Sequence, residues 1–295
     1  MSKSLQATLL NLIVSLLSKL PMRYHSCVGS WIGWLLYCLP LKRNTIIAKN
    51  IVKCFNHLSP NEHQQLIKQN TKMMGSAIIY TAIAWRWSDN KVLSNIPYKI
   101  TGIEALNACR KAGKGAFVLA MHSVFLELDG RLVQLKMNEA FYAFSYIKKH
   151  DKIHQTMISG RKSFSNTILH NNVRECINLL KQGNVVSYMP DQDYGVKSSI
   201  EVSFFNQPAT MVTVPARIAQ ISGAKVFLLD SYWSKSGERV FNLEPIAYDP
   251  SDVIGFTKTI SSLIESKISQ HPDEYLWCHR RFKSTLGRDF YVTNV

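Results

Sequence analysis

Gly115-Ala-Phe-Val-Leu-Ala-Met-His-Ser-Val-Phe-Leu-Glu-Leu128 is an uninterrupted apolar run that ends on an imidazole and resumes with a carboxylate five positions later. Ala116 to Met121 has the length and composition of a buried strand. His122 follows at its carboxyl end, Ser123 is a candidate N-cap, and Glu127 falls in the first turns of the helix beyond. Residues five apart in one continuous helix point about 140° apart at roughly 3.6 residues per turn, so His122 has to sit on the turn before the helix if the two groups are to meet. Neutral imidazole, with an ordinary pKa of about 6.5, suits removal of a proton from an alcohol. Glu127 is then expected to fix the tautomer of the ring and stabilise the imidazolium. A satisfied histidine at a strand end fits the same short pattern.

Strand and helix patterns alternate around this stretch. Ser59-Pro60-Asn61-Glu62 reads as a capping box with proline at the first helical position, opening a long helix to about Ala84 whose Met73, Met74, Ile78 and Ile79 face suits a core. Tyr98 to Gly102 reads as a strand and Ile103 to Lys111 as a short helix stopped by Gly113. Further on come a helix over 172–181, a strand over 185–189, a helix over 212–222, a strand over 225–229, and helices over 251–268 and 274–283. Strands separated by helices of this length predict an α/β fold with a mostly parallel sheet flanked by helices. Ligand sites in such sheets lie at the carboxyl ends of strands, where His122 falls.

Composition narrows the partners. The 295 residues carry 35 basic and 20 acidic side chains, a formal net charge of +15. Such a field favours polyanions: nucleic acid, an anionic membrane, a phosphorylated lipid or an acidic carrier protein. No finger spacing, RNP-type run or basic heptad region is present, so nucleic acid is not expected. The six cysteines are scattered with no C-x-x-C pair, which suggests neither zinc nor a disulfide framework and fits a reduced compartment. Leu5 to Leu20 and Cys27 to Leu41 are apolar runs, each shorter than the roughly 20 residues that span a bilayer. A single thinned crossing and two interfacial helices both fit, with Trp31, Trp34 and Tyr37 at headgroup depth and Lys42, Arg43, Lys49 and Lys53 on the cytoplasmic side. No small-residue cleavage motif closes the first run, so a cleaved signal peptide fits less well. Residues 1–45 are therefore expected to anchor the chain to a membrane, and residues 46–295 to form the remaining domain.

Four further stretches carry a family resemblance. They are Arg43-Asn44-Thr45 with Asn50-Ile51-Val52-Lys53-Cys54-Phe55, Ser187-Tyr188-Met189-Pro190-Asp191-Gln192-Asp193-Tyr194-Gly195, Val202-Ser203-Phe204-Phe205, and Tyr275-Leu276-Trp277-Cys278-His279-Arg280-Arg281-Phe282-Lys283. In this order, together with the H-x-x-x-x-E pattern, they resemble the late lipid A acyltransferases of Gram-negative bacteria, the lauroyl and myristoyl transferases acting on Kdo-lipid IVA, over nearly the whole chain. The resemblance implies a glycerolipid-acyltransferase-like fold. It implies an enzyme on the cytoplasmic face of the inner membrane that esterifies a hydroxyl of a lipid A precursor with an acyl chain from acyl carrier protein, with no cofactor and no metal. A glycerolipid acyltransferase and a non-catalytic basic protein binding anionic lipid are the alternatives; the Pro-Glu-Gly-Thr-Arg-Ser block of the former is replaced here by Pro-Asp-Gln-Asp-Tyr-Gly.

On this resemblance His122 is the catalytic base and Glu127 its partner. Arg161 matches a basic position of the family and is a candidate oxyanion donor, phosphate clamp or plain solvated arginine. Arg174, at another such position, reads as half of a surface salt bridge. Asp191, behind Pro190, is expected to order Arg161 or a substrate hydroxyl. Asp193 reads as a turn residue, with Gly195 supplying a positive φ. His279, Arg280, Arg281 and Lys283 form a basic patch, in which Arg280 and Arg281 are candidate ligands for phosphosugar or Kdo carboxylates or for the carrier protein.

Overall fold

The computed structural model describes residues 3–139, 141–145 and 151–292. Its strands are β1 (Tyr98–Thr101), β2 (Ala116–Ala120), β3 (Phe141–Ser145), β4 (Ser165–Leu169), β5 (Val185–Tyr188), β6 (Ser199–Phe204), β7 (Gln207–Val212), β8 (Lys225–Trp233) and β9 (Arg239–Pro245). Seven of them form one sheet of order β1-β9-β8-β2-β5-β3-β4. Every neighbouring pair in that sheet is parallel except β8 with β9. The first described helices are α1 (Lys3–Leu17), α2 (His25–Cys38), α3 (Lys42–Cys54), α4 (Pro60–Arg86) and α5 (Asp89–Asn95). After them come α6 (Ile103–Lys111), α7 (Leu126–Met137), α8 (Lys152–Arg161), α9 (Val173–Lys181), α10 (Val214–Ser222) and α11 (Val253–Gln270). The expected α/β fold with a mostly parallel, helix-flanked sheet is therefore what the chain adopts.

β2 is buried along its whole length, as its apolar run requires, and is bracketed in register by β5 and β8. The capping box opens α4: the Ser59 hydroxyl accepts from the Glu62 amide while the Glu62 carboxylate accepts from the Ser59 amide at 2.7 Å. Four expectations need correction. Ser123 does not cap α7; its hydroxyl accepts from the Phe125 amide at 3.0 Å inside the preceding turn, and the helix starts at Leu126. Residues 274–283 are not a helix. The segment runs from a 3-10 turn (Pro272–Glu274) through successive tight turns, and the side-chain amides of Asn70 and Asn50 donate to its Asp273, Tyr275, Trp277 and His279 carbonyls. The 212–222 helix begins later, at Val214, because residues 207–212 belong to β7. The last expected strand extends to Trp233, where it pairs with β9.

α2 lies along α4 at glycine-limited distance. A Cβ built on Gly75 would come 2.3 Å from the Gly29 carbonyl oxygen and from the Gly33 nitrogen, so any side chain there forces the two helices apart. Outward, α1 exposes Leu5, Leu9, Leu12, Ile13 and Leu16, and α2 exposes Cys27, Trp31, Trp34, Leu35 and Cys38. Each set recurs at the spacing of one helical face. Among the described residues no single helix is long and apolar enough to cross a membrane, and Leu5–Leu17 with Met22–Cys38 pass that test only as a pair bent by 109°.

Candidate active site

His122 leaves the carboxyl end of β2 and is clamped on two sides. On one side its carbonyl accepts from the Leu276 amide at 2.9 Å, the Val124 amide donates to the Glu274 carbonyl at 2.8 Å, and Ser123 bridges Tyr275. The Tyr275–Lys283 motif thus forms one wall of the histidine turn, itself pinned by Asn50, Asn70 and the fully buried Trp277. On the other side stands Asp191, delivered by the end of β5 and Pro190. One carboxylate oxygen accepts from the His122 backbone amide at 2.9 Å and the other contacts ring Nδ1 at 2.7 Å.

Glu127 is therefore not the partner of the ring; this is the main correction to the expected site. Asp191 likewise orders His122 rather than Arg161. With a carboxylate accepting at Nδ1, that nitrogen carries the proton and Nε2 presents its lone pair. Asp191 is 1% exposed. Burial pushes its carboxyl pKa up, but the neighbouring His122 ring and the hydrogen bonds from ring and backbone outweigh this and hold it below the usual carboxylate range.

Glu127 has its own role. It accepts from Trp85 Nε1 at 2.7 Å and from Arg161 Nε at 3.0 Å, and a second guanidinium nitrogen also pairs with it. Arg161 Nη1 reaches the Ser145 hydroxyl at 3.3 Å. Gly160 makes this grouping possible: a Cβ there would lie 2.4 Å from the Trp85 ring. Arg161 is thus an oriented, partly buried cation and not a solvated one.

A third layer lies behind the turn. Arg239, fully buried, pairs with Asp129 from α7 and with Glu274, and donates to Ser123 and Ser231. It stitches α7, β8, β9 and the histidine turn together. Sequence reasoning missed this network; Arg239 carries no local signal, since its partners lie 110 and 35 residues away.

The basic patch divides. Arg281 is buried, stacks over Phe204 at 4.6 Å and donates to the Thr210 carbonyl at 2.7 Å. It is a core residue, which corrects its reading as a substrate ligand. Arg280 is half-buried, with its guanidinium 5.9 Å from the Tyr291 ring. Lys283 donates to the Asp193 carbonyl at 2.9 Å. Asp193 makes the expected turn, accepting from the Gly195 amide at 2.9 Å with Gly195 at φ 95°, and it also takes the amide and hydroxyl of Ser284, each at 2.7 Å. His279 accepts from the Asp193 amide at Nε2 over 3.1 Å. Burial, with the His122 ring and the Lys283 and Arg281 charges nearby, pushes its pKa down to about 4, so it stays neutral. Arg174 is exposed and makes no ion pair among the described residues.

An apolar cavity opens beside this constellation. Met121, Leu126, Glu127 and Arg161 line one end; Val118, Ala143 and Ser187 line its middle; Val185, Phe141 and Met137 line the far end. Its cavity volume is about 90 Å3, and its mouth is open to solvent. A parallel-sheet domain that sets a carboxylate-oriented imidazole at a strand end, beside a fixed cation and a hydrocarbon-lined cavity, has the layout of an enzyme that moves acyl chains. The family model of the bacterial lipid A biosynthesis acyltransferases matches residues 2–284, and the chain belongs to that family. It is 28% identical over 270 residues to the lipid A biosynthesis palmitoleoyltransferase of Escherichia coli (strain K12), covering 90% of this chain and 87% of that one. It is 27% identical over 277 residues to the lipid A biosynthesis lauroyltransferase of the same organism, covering 92% and 89%. A phosphatidylinositol mannoside acyltransferase of Mycobacterium tuberculosis (strain CDC 1551 / Oshkosh) matches at 24% over 192 residues, 63% of this chain and 60% of that one.

Proposed function

We propose that this acyltransferase takes its acyl chain from acyl carrier protein and esterifies a hydroxyl of a Kdo-lipid IVA-type precursor, working at the cytoplasmic face of the inner membrane. The observation that carries the reading is the Asp191–His122 pair beside an apolar cavity lined by the neighbouring Met121 and Met189 and by Glu127 and Arg161. His122 Nε2 removes the proton of the acceptor hydroxyl while Asp191 holds Nδ1–H and stabilises the imidazolium. The alkoxide attacks the thioester carbonyl. Arg161, fixed by Glu127, supplies positive charge where the tetrahedral oxyanion develops, a contribution of about 3 kcal/mol for a donor of this kind. Collapse of the intermediate breaks the carbon–sulfur bond, and the imidazolium returns its proton to the departing thiolate.

The outward apolar faces of α1 and α2 support seating on a bilayer, and the basic residues that follow α2 support the cytoplasmic side. Arg280, at the edge of the His122 wall, is suited to an anionic group of the acceptor or to the acidic carrier protein. The test is incubation of the purified protein with acyl carrier protein bearing a fatty acid and with Kdo-lipid IVA, read by mass spectrometry. Addition of one acyl chain is expected, with the rate reduced about 100-fold or more in His122→Ala. No product from any acyl carrier protein thioester sinks the reading.

A further inference from the structure

We infer that Gly130, packed against the ring of Phe164 in the wall of the apolar cavity, sets the length of acyl chain the enzyme accepts; the inference rests on the proposed function in taking the occupant to be that chain. The cavity has a measurable depth. Val185 pairs in register with Ala116, four residues short of Ala120 at the reacting end, which is about 13 Å at roughly 3.3 Å per residue. Met137, also at the far end, lies ten residues along α7 from Glu127, about 15 Å at roughly 1.5 Å per residue. The two measures agree on a slot running between α7 and the sheet, away from His122.

Gly130 lies in the wall of that slot one helical turn beyond Glu127, roughly a third of the way down. Glycine inside a helix costs about 1 kcal/mol relative to alanine, so its presence in α7 needs a local reason. The reason is space. A Cβ at Gly130 would stand 3.1 Å from Phe164 Cε2, 3.3 Å from its Cδ2 and 3.4 Å from Phe141 Cζ. Both rings are buried cavity walls, 3% and 8% exposed. A methyl group here has to push these two rings, which themselves wall the slot, and the inferred consequence is that the part beyond them, toward Val133, Met137 and Val185, is closed to the chain. The backbone of Gly130 is ordinary helix, so conformational freedom is not the explanation.

The test measures binding apart from turnover. Non-hydrolysable thioether analogues of acyl-phosphopantetheine, from decanoyl to hexadecanoyl, are titrated into wild type, Gly130→Ala and Phe164→Leu by calorimetry. In wild type the affinity should rise about fourfold per methylene, the roughly 0.8 kcal/mol of a buried CH2, until the slot is full. Gly130→Ala should stop rising at a shorter chain, and Phe164→Leu, which opens the slot, at a longer one. In transfer assays the ratio of kcat/KM for tetradecanoyl over decanoyl carrier protein should fall at least about tenfold in Gly130→Ala. Identical length profiles in the three proteins overturn the inference, as does a wild type that binds none of the analogues. If Gly130→Ala does not fold, the direction of the Phe164→Leu shift decides. Shifted binding profiles without acyl transfer would leave the slot assigned and refute the proposed reaction alone.

Discussion

Two carboxylates near one histidine have separated their work. Asp191 takes both the ring and the backbone of His122, so the carboxylate fixes the position and the tautomer of the imidazole together. Glu127 takes Trp85 and Arg161 and places a cation beside the cavity. The motif spacing pointed to His122 and Glu127 as a pair because they are near neighbours in sequence. The partner comes from the loop after β5, 69 residues on, and no local pattern announces such a contact. His279 belongs to the same scale and yields a pH prediction. Its folded pKa is lowered from about 6.5 to about 4, so between these values the unfolded chain binds the extra proton. Stability therefore rises with pH across this window and is lost as pH falls from about 6.5 toward 4. Thermal melts over that range should show a shallower acid loss in His279→Gln, whose amide oxygen can still accept from the Asp193 amide. An unchanged slope would mean that His279 titrates normally.

Among the elements, the ones legible in sequence are those whose signals are local. The β2 run is apolar on both faces because both faces are covered, and the Ser59–Glu62 box sits in one turn. β9 was missed because Glu238, Arg239 and Asn242 make it look like a loop; Arg239 is tolerated only through Asp129 and Glu274, contributed by distant segments. The 274–283 segment looked helical for the complementary reason: its composition suits a helix, but Asn50 and Asn70 engage its carbonyls and hold it as a run of turns. The Arg239 network should be a main strut of the histidine turn. Arg239→Met leaves two carboxylates buried without their cation, and denaturant unfolding should register a loss of about 3–5 kcal/mol. A loss below about 1 kcal/mol would mean that the network relaxes around the gap.

At the scale of the molecule, the close α2–α4 contact ties the exposed apolar helices to the domain that carries His122. On the proposed seating of α1 and α2 on a bilayer, close packing at Gly29, Gly33 and Gly75 would set the height of the site above it. Sequence composition announced apolar N-terminal runs, but not that they form two helices bent by 109° at the break between them, with one face docked and one free. Replacing Trp31 and Trp34 with serine should weaken sedimentation with anionic phospholipid vesicles at least tenfold while leaving the melting temperature within a few degrees, since both rings are mostly exposed. Equal sedimentation of variant and wild type would assign membrane contact to another surface.

The whole arrangement converges on an imidazole aimed by Asp191. Its most direct test is the single-turnover rate of acyl transfer from acyl carrier protein to Kdo-lipid IVA in Asp191→Asn, a near-isosteric change whose amide cannot stabilise the imidazolium. The account predicts a fall of about 100-fold or more with the fold retained by circular dichroism. A correctly folded Asp191→Asn enzyme that transfers acyl chains at the wild-type rate would contradict it.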